Sequence, residues 1–133
     1  MNIKQHIGLF TLRTSIAFTM LIYGITKLIN GIEFIKDLLT QYGLPHFIGY
    51  GIYIGEIIAP ILIIIGFRTK LAGLIFALNC LIAILMVQLP NVFKLNEFGG
   101  LAIEPIFIYM MFGLAIFFTG AGKYALSTNN KWD

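Results

Sequence analysis

Arg13, Glu56 and Glu104 each stand inside or at the edge of a different long apolar run, in a 133-residue chain that elsewhere keeps charge out of such runs. A charge at the middle of a bilayer costs about 2.5–3.5 kcal/mol on insertion scales, so these three must face one another, water or a ligand. Arg13 and Glu56 are of the types that form a bidentate pair, and counting about 1.5 Å per residue from each boundary puts them within reach of a guanidinium stem. A buried Arg13–Glu56 ion pair is the expectation. Glu104 is expected at a shallower level with Lys27 and Gln88. With Tyr23 these are candidate ligand-binding residues of an outward-facing polar pocket, where a carboxylate exchanges protons and Lys27 or Gln88 donates to a carbonyl.

The elements that must position these groups are apolar helices. The chain is 59% hydrophobic and 11% charged, with a mean hydropathy of +0.90. That is too apolar for one soluble core and points to a small polytopic membrane protein. Four runs, about 7–29, 47–67, 71–89 and 101–118, approach the roughly 20 residues that cross a bilayer. They lack the period-two alternation of barrel strands. The fold expected is all-α, a four-transmembrane-helix bundle forming one domain over residues 1–133. The first run is longer than a signal-peptide core and contains Arg13, so it reads as a retained helix. Basic residues in the short loops place Lys4, Arg68, Lys70, Lys123 and Lys131 on one side against Lys27, Lys36 and Lys94 on the other. This balance favours both termini in the cytoplasm.

Between the first two runs, Phe34, Ile35, Leu38, Leu39 and Tyr42 fall near one helical face and Glu33, Lys36, Asp37 and Gln41 largely on the other. This pattern suits a short interfacial helix, ended by Gly43-Leu44-Pro45, that is either a lid or an inert connector. In the second run, Gly51, Gly55 and Ala59 have the spacing that lets helices approach closely, next to Glu56. Pro60 cannot bond the Glu56 carbonyl, so a kink and a freed acceptor are expected there. Arg13, Ile16, Ala17, Met20, Gly24 and Lys27 share one face of the first helix. Asn79 and Gln88 fall about 180° apart on a regular helix and are expected to face different seams. The 120–133 tail is polar and too short for a second domain.

Several function classes are excluded. A net charge of +3, spread over short loops, makes no nucleic-acid patch. Cys80 is the only cysteine, so the chain cannot cycle a disulfide by itself, and the residue reads as a small apolar side chain. His6 and His46 fall at opposite membrane faces, without the company a metal requires. No metal or haem motif is present.

Taken in order, these residues resemble the DoxX family of small four-helix bacterial membrane proteins. Tyr23-Gly24-Ile25-Thr26-Lys27-Leu28 is similar to the family's His-Gly-x-x-Lys-Leu, and Gly43-Leu44-Pro45 and Glu56 follow in place. Gly66-Phe67-Arg68-Thr69, Gly99-Gly100 with Glu104, and Gly120-Ala121-Gly122-Lys123-Tyr124 resemble the family's later motifs. The resemblance implies a multi-pass protein of the bacterial cytoplasmic membrane, associated with redox assemblies such as thiosulfate:quinone oxidoreductase. Tyr23 and Gln88 stand where histidines are common in the family, which removes a bis-histidine haem or metal site. Two functional readings follow. One is a redox-associated subunit that binds a small hydrophobic molecule such as quinone, with membrane redox subunits as partners. The other is a non-catalytic scaffold or partner-binding subunit whose buried pair is structural.

Overall fold

The computed structural model describes residues 2–133, and among them every regular element is helical apart from an isolated Leu95–Leu101 bridge. Helix α1 spans Ile3–Asn30 and begins before the first apolar residue of its run would suggest. A capping box sets this start. The Asn2 side chain accepts from the Gln5 N–H at 3.0 Å, and the Gln5 side chain accepts from the Asn2 N–H at 2.9 Å. Arg13, Ala17, Met20 and Gly24 are its buried residues, spaced by three and four as one face requires.

A short helix α2 covers Glu33–Gln41, with Leu39 buried. The next segment, α3, runs His46–Ile65 and changes winding along its length. It opens with a 3₁₀ stretch His46–Gly51, widens to a π turn at Ile54–Ile58 and becomes α-helical over Ala59–Ile65. Pro60 carries no N–H to continue the ladder to Glu56, and the π turn ends at Ala59, whose N–H bonds the Ile54 carbonyl. Segment α4 spans Thr69–Asn91 and contains a second π turn at Ile84–Gln88. Helix α5 covers Glu104–Thr119, 16 residues that start after the expected position 101. Three segments, α1, α3 and α4, are long and apolar enough to cross a membrane, and α5 is a shorter apolar helix. The protein is thus a helical membrane-type chain with several apolar spans.

The core is shared by α1, α3, α4 and α5: Ala17, Met20, Ala59, Ile63, Ala72, Phe76, Cys80, Phe112 and Ile116. Cys80 is an enclosed member of it, as a small apolar side chain would be. Phe76 and Phe112 meet edge to face at 5.5 Å between centroids, where α4 and α5 lie against each other at Gly73 and Gly113.

The tail folds back instead of trailing into solvent. Trp132 offers its carbonyl to the Lys70 and Leu71 N–H groups at 2.8 and 3.3 Å, capping the start of α4. Leu126 and Ser127 donate to the Ile65 and Gly66 carbonyls that end α3. Asp133 accepts from the Arg68 backbone at 3.0 Å, the Arg68 guanidinium at 3.2 Å and the Asn130 N–H at 2.8 Å. Arg68, one of the basic residues counted in the short loops, is engaged by the tail. Burial alone would raise the Asp133 carboxyl, but bonds from Ser127, Asn130 and Arg68 outweigh it and hold the group at about 2.

Candidate functional site

The expected Arg13–Glu56 pair does not form. Glu56 is paired with Lys27, whose ammonium donates to both carboxylate oxygens at 2.7 and 2.8 Å. Only 7% of the Glu56 side chain is exposed, against 33% for Lys27. Lys27 lies fourteen positions beyond Arg13 on the same face of α1, so the two cations occupy opposite ends of one stripe, and Glu56 sits at the level of the second. Gly24 sets this register. A Cβ on Gly24 would lie 2.4 Å from the Glu56 carbonyl oxygen, so no larger residue lets α1 and the α3 π turn meet this closely.

Arg13 serves another purpose. It is fully buried and bonds only backbone carbonyls: Ile63 and Ile64 at 2.6 Å each, Ala121 at 3.3 Å, and Tyr124. It clamps the last turn of α3 to the tail. Its guanidinium also lies over the Phe10 ring at 5.1 Å.

Two cavities meet at Lys27. The larger, about 550 Å³, is an open cleft between α2, α3 and α4 with a mainly apolar lining, and Lys27, Asn79 and Gln88 supply its polar side chains. Its size lies within the roughly 300–1,000 Å³ of small-molecule sites. Phe34, Ile35, Leu38 and Leu39 of α2 form one wall, and the Tyr42 hydroxyl donates to the Met86 carbonyl at 3.2 Å. The smaller cavity, about 170 Å³, is lined by Met20, Tyr23, Lys27, Glu56, Pro105, Ile106 and Tyr109. Tyr23 stands edge-on to Tyr109 at 6.2 Å, and Tyr109 donates to the Thr19 hydroxyl at 2.7 Å.

The single polar pocket expected of Tyr23, Lys27, Gln88 and Glu104 is therefore divided. Lys27 and Gln88 line the cleft, Tyr23 and Lys27 line the smaller cavity, and Glu104 lines neither. Glu104 is an exposed residue of the first turn of α5, with its carboxylate close to Gly100, a position that favours the helix dipole. Asn79 and Gln88, expected on different seams, line the same cleft. The π turn at Ile84–Gln88 is the reason: its i→i+5 winding takes more residues per revolution than an α-helix and rotates Gln88 back toward Asn79. Gly55 faces α4, where a Cβ would come within 2.4 Å of the Asn79 Cβ and Cγ. Gly51 has open space around it and lines the cleft. Gly55 thus serves both packing and cavity, and Gly51 the cavity alone. The lining role of Asn79 was not expected, and only a π-helix signal in the sequence would have revealed it.

Among the described residues, no three His, Cys, Asp or Glu side chains are grouped to hold a metal ion. His46 lies 2.5 Å from the Thr40 hydroxyl, and His6 accepts the Lys123 N–H at 2.9 Å.

A relative from Bacillus subtilis (strain 168), named "Putative oxidoreductase CatD", is 32% identical over 96 residues, covering 72% of this chain and 71% of its own length. No solved structure matches. The DoxX family profile matches residues 8–89, the stretch that carries Arg13, Tyr23, Lys27, Glu56 and Gln88 and ends before α5. A match over more than half the sequence, together with that relative, means that the chain belongs to the DoxX family.

Proposed function

We propose that the protein is a redox-associated membrane subunit that holds a small hydrophobic molecule such as a quinone in the cleft between α2, α3 and α4. One observation carries this reading: an apolar cleft of ligand size ends at a lysine whose ammonium is fixed by a buried carboxylate. Lys27, Asn79 and Gln88 are the residues that would orient a carbonyl by hydrogen bonding, and the apolar walls would take a ring and tail. A bound quinone supplies the electron-accepting and proton-accepting chemistry. The Lys27 ammonium holds a proton at the end of the cleft, and Glu56 keeps it in place from behind at 2.7 Å. The relative's name, an oxidoreductase, supports a redox setting. Partner subunits would bring or take the electrons.

In this reading the chain crosses the bacterial cytoplasmic membrane four times, with both termini cytoplasmic and α2 in the outer headgroup layer. The Lys27 end of the bundle then faces outward, with the cleft reached from the outer leaflet past α2. The clamp made by Arg13 has an architectural role at the opposite end.

Mass spectrometry of lipids extracted from gently purified protein tests the reading. Quinone is expected in the wild type, and is reduced by Lys27→Met and by Ala83→Phe, which fills the cleft. Glu104→Gln leaves it unchanged. Equal quinone in the wild type and in both cleft variants would defeat the ligand reading and leave the scaffold one.

A further inference from the structure

The α4–α5 connection exposes large apolar side chains that nothing in the bundle covers: Phe93 is 95% and Phe98 88% exposed, with Leu95 and Leu89 beside them in sequence. Exposed aromatics on a loop are ordinarily costly in water. Part of this loop's backbone is also satisfied from within, around Asn96. The Asn96 side chain accepts from the Phe98 and Gly100 N–H groups at 2.9 and 3.1 Å and donates to the Leu101 carbonyl at 3.4 Å. The Asn96 N–H bonds the Gly100 carbonyl at 2.7 Å, Ala102 bonds Lys94 at 3.0 Å, and Lys94 bonds Asn91 at 3.0 Å. Each such bond lowers the cost of moving the loop from bulk water to the headgroup boundary, where the remaining backbone groups keep water as a partner.

Helix length supplies a second, independent argument. At 1.5 Å per residue the 16 residues of α5 reach about 24 Å, short of the roughly 30 Å hydrocarbon thickness, whereas the 23 residues of α4 exceed it. The shortfall can be made up at the Glu104 end, where this loop lies. The exposed face of α4, with Ile82, Leu85 and Leu89, runs directly into it. Its charges, Lys94 and Glu97, cancel, so nothing in the loop selects a charged partner.

We propose that the 92–101 loop is a membrane-seated turn. Phe93 and Phe98 enter the boundary between headgroups and acyl chains, complete the apolar span that α5 leaves short, and face lipid. Lys94 snorkels to the headgroup phosphates. The proposal rests on the reading of α5 as a membrane span.

Trp132 is the only tryptophan, so replacing it with phenylalanine gives a silent background that retains the carbonyl capping α4. In that background Phe98→Trp, and separately Phe93→Trp, is reconstituted into phosphatidylcholine vesicles with or without acyl chains brominated near the glycerol end. Leu114→Trp on α5, read with acyl chains brominated near their methyl ends, is the control for the span itself. Blue-shifted emission that is mostly lost to brominated lipid and insensitive to aqueous acrylamide is expected at both loop positions. Quenching by acrylamide alone would place the loop in water and overturn the proposal. Quenching by neither would mean that a second copy or another protein covers the loop, and would also overturn it. A quenched Leu114→Trp beside an unquenched loop refutes only the loop proposal, whereas an unquenched Leu114→Trp refutes the span and the proposal with it. The second loop position keeps the test decisive if one variant fails to fold.

Discussion

Substituting Lys27 or Glu56 tests the central pairing most directly, because the two side chains form a closed thermodynamic cycle. Unit charges about 3 Å apart attract by about 5–6 kcal/mol at an effective dielectric of about 20. Lys27 keeps a third of its side chain exposed, so hydration and screening take back part of this, and a coupling of about 2–3 kcal/mol is expected. Lys27→Met should be the worse single change, since it strands a carboxylate that is almost wholly enclosed. Glu56→Gln leaves an amide oxygen for an ammonium that retains some access to water. The double variant should be more stable than the sum of the singles by the coupling energy. Unfolding in mixed micelles at increasing SDS fraction measures all four corners of the cycle. Additivity within about 0.5 kcal/mol would show that the pair is not coupled, and the argument from burial would fail.

Other outcomes follow from the same geometry. Arg13→Lys should free the tail and speed tryptic cleavage after Lys123, because an ammonium cannot reproduce the guanidinium's fork of bonds to carbonyls from two segments; an unchanged digestion rate would contradict the clamp. Gly55→Ala should destabilise by about 1–3 kcal/mol through its clash with Asn79, while Gly51→Ala, with open space, should be neutral or slightly stabilising; equal effects in micelle unfolding would argue against the α3–α4 contact. The carboxyl of Asp133 is held at about 2, below its ordinary 3.8. A depressed carboxyl contributes fully above the unfolded value and loses its contribution as pH falls through the folded one, so the tail should loosen between about pH 4 and 2. Trp132 fluorescence reports that loosening, and Asp133→Asn should remove the pH dependence.

The helices were legible because apolar length and periodicity report burial directly. The buried stripe of α1 follows from the three-and-four spacing of Arg13, Ala17, Met20 and Gly24, and the π turn at Ile54–Ile58 fits the break expected from Pro60. Depth counted along the apolar runs does not tell which of two cations on one stripe lies level with Glu56. The packing of Gly24 against the Glu56 carbonyl, a contact between distant segments, decides that. Asn79 and Gln88 fall on different seams only under a constant 3.6-residue period, which the Ile84–Gln88 π turn breaks. The folding back of the tail depends on contacts between residues more than a hundred positions apart, such as Arg13 with Ala121, and local pattern carries no signal for these.

The carbonyls that Arg13 binds belong to Ile63, Ile64, Ala121 and Tyr124, and every one is main chain. The clamp therefore places no demand on the side-chain identity of its acceptors and a strict one on its donor. Over evolutionary time those four positions are free to drift as far as packing allows without weakening the link, whereas the arginine has no neutral replacement. Related chains should accordingly show an invariant arginine facing acceptor positions of varied type.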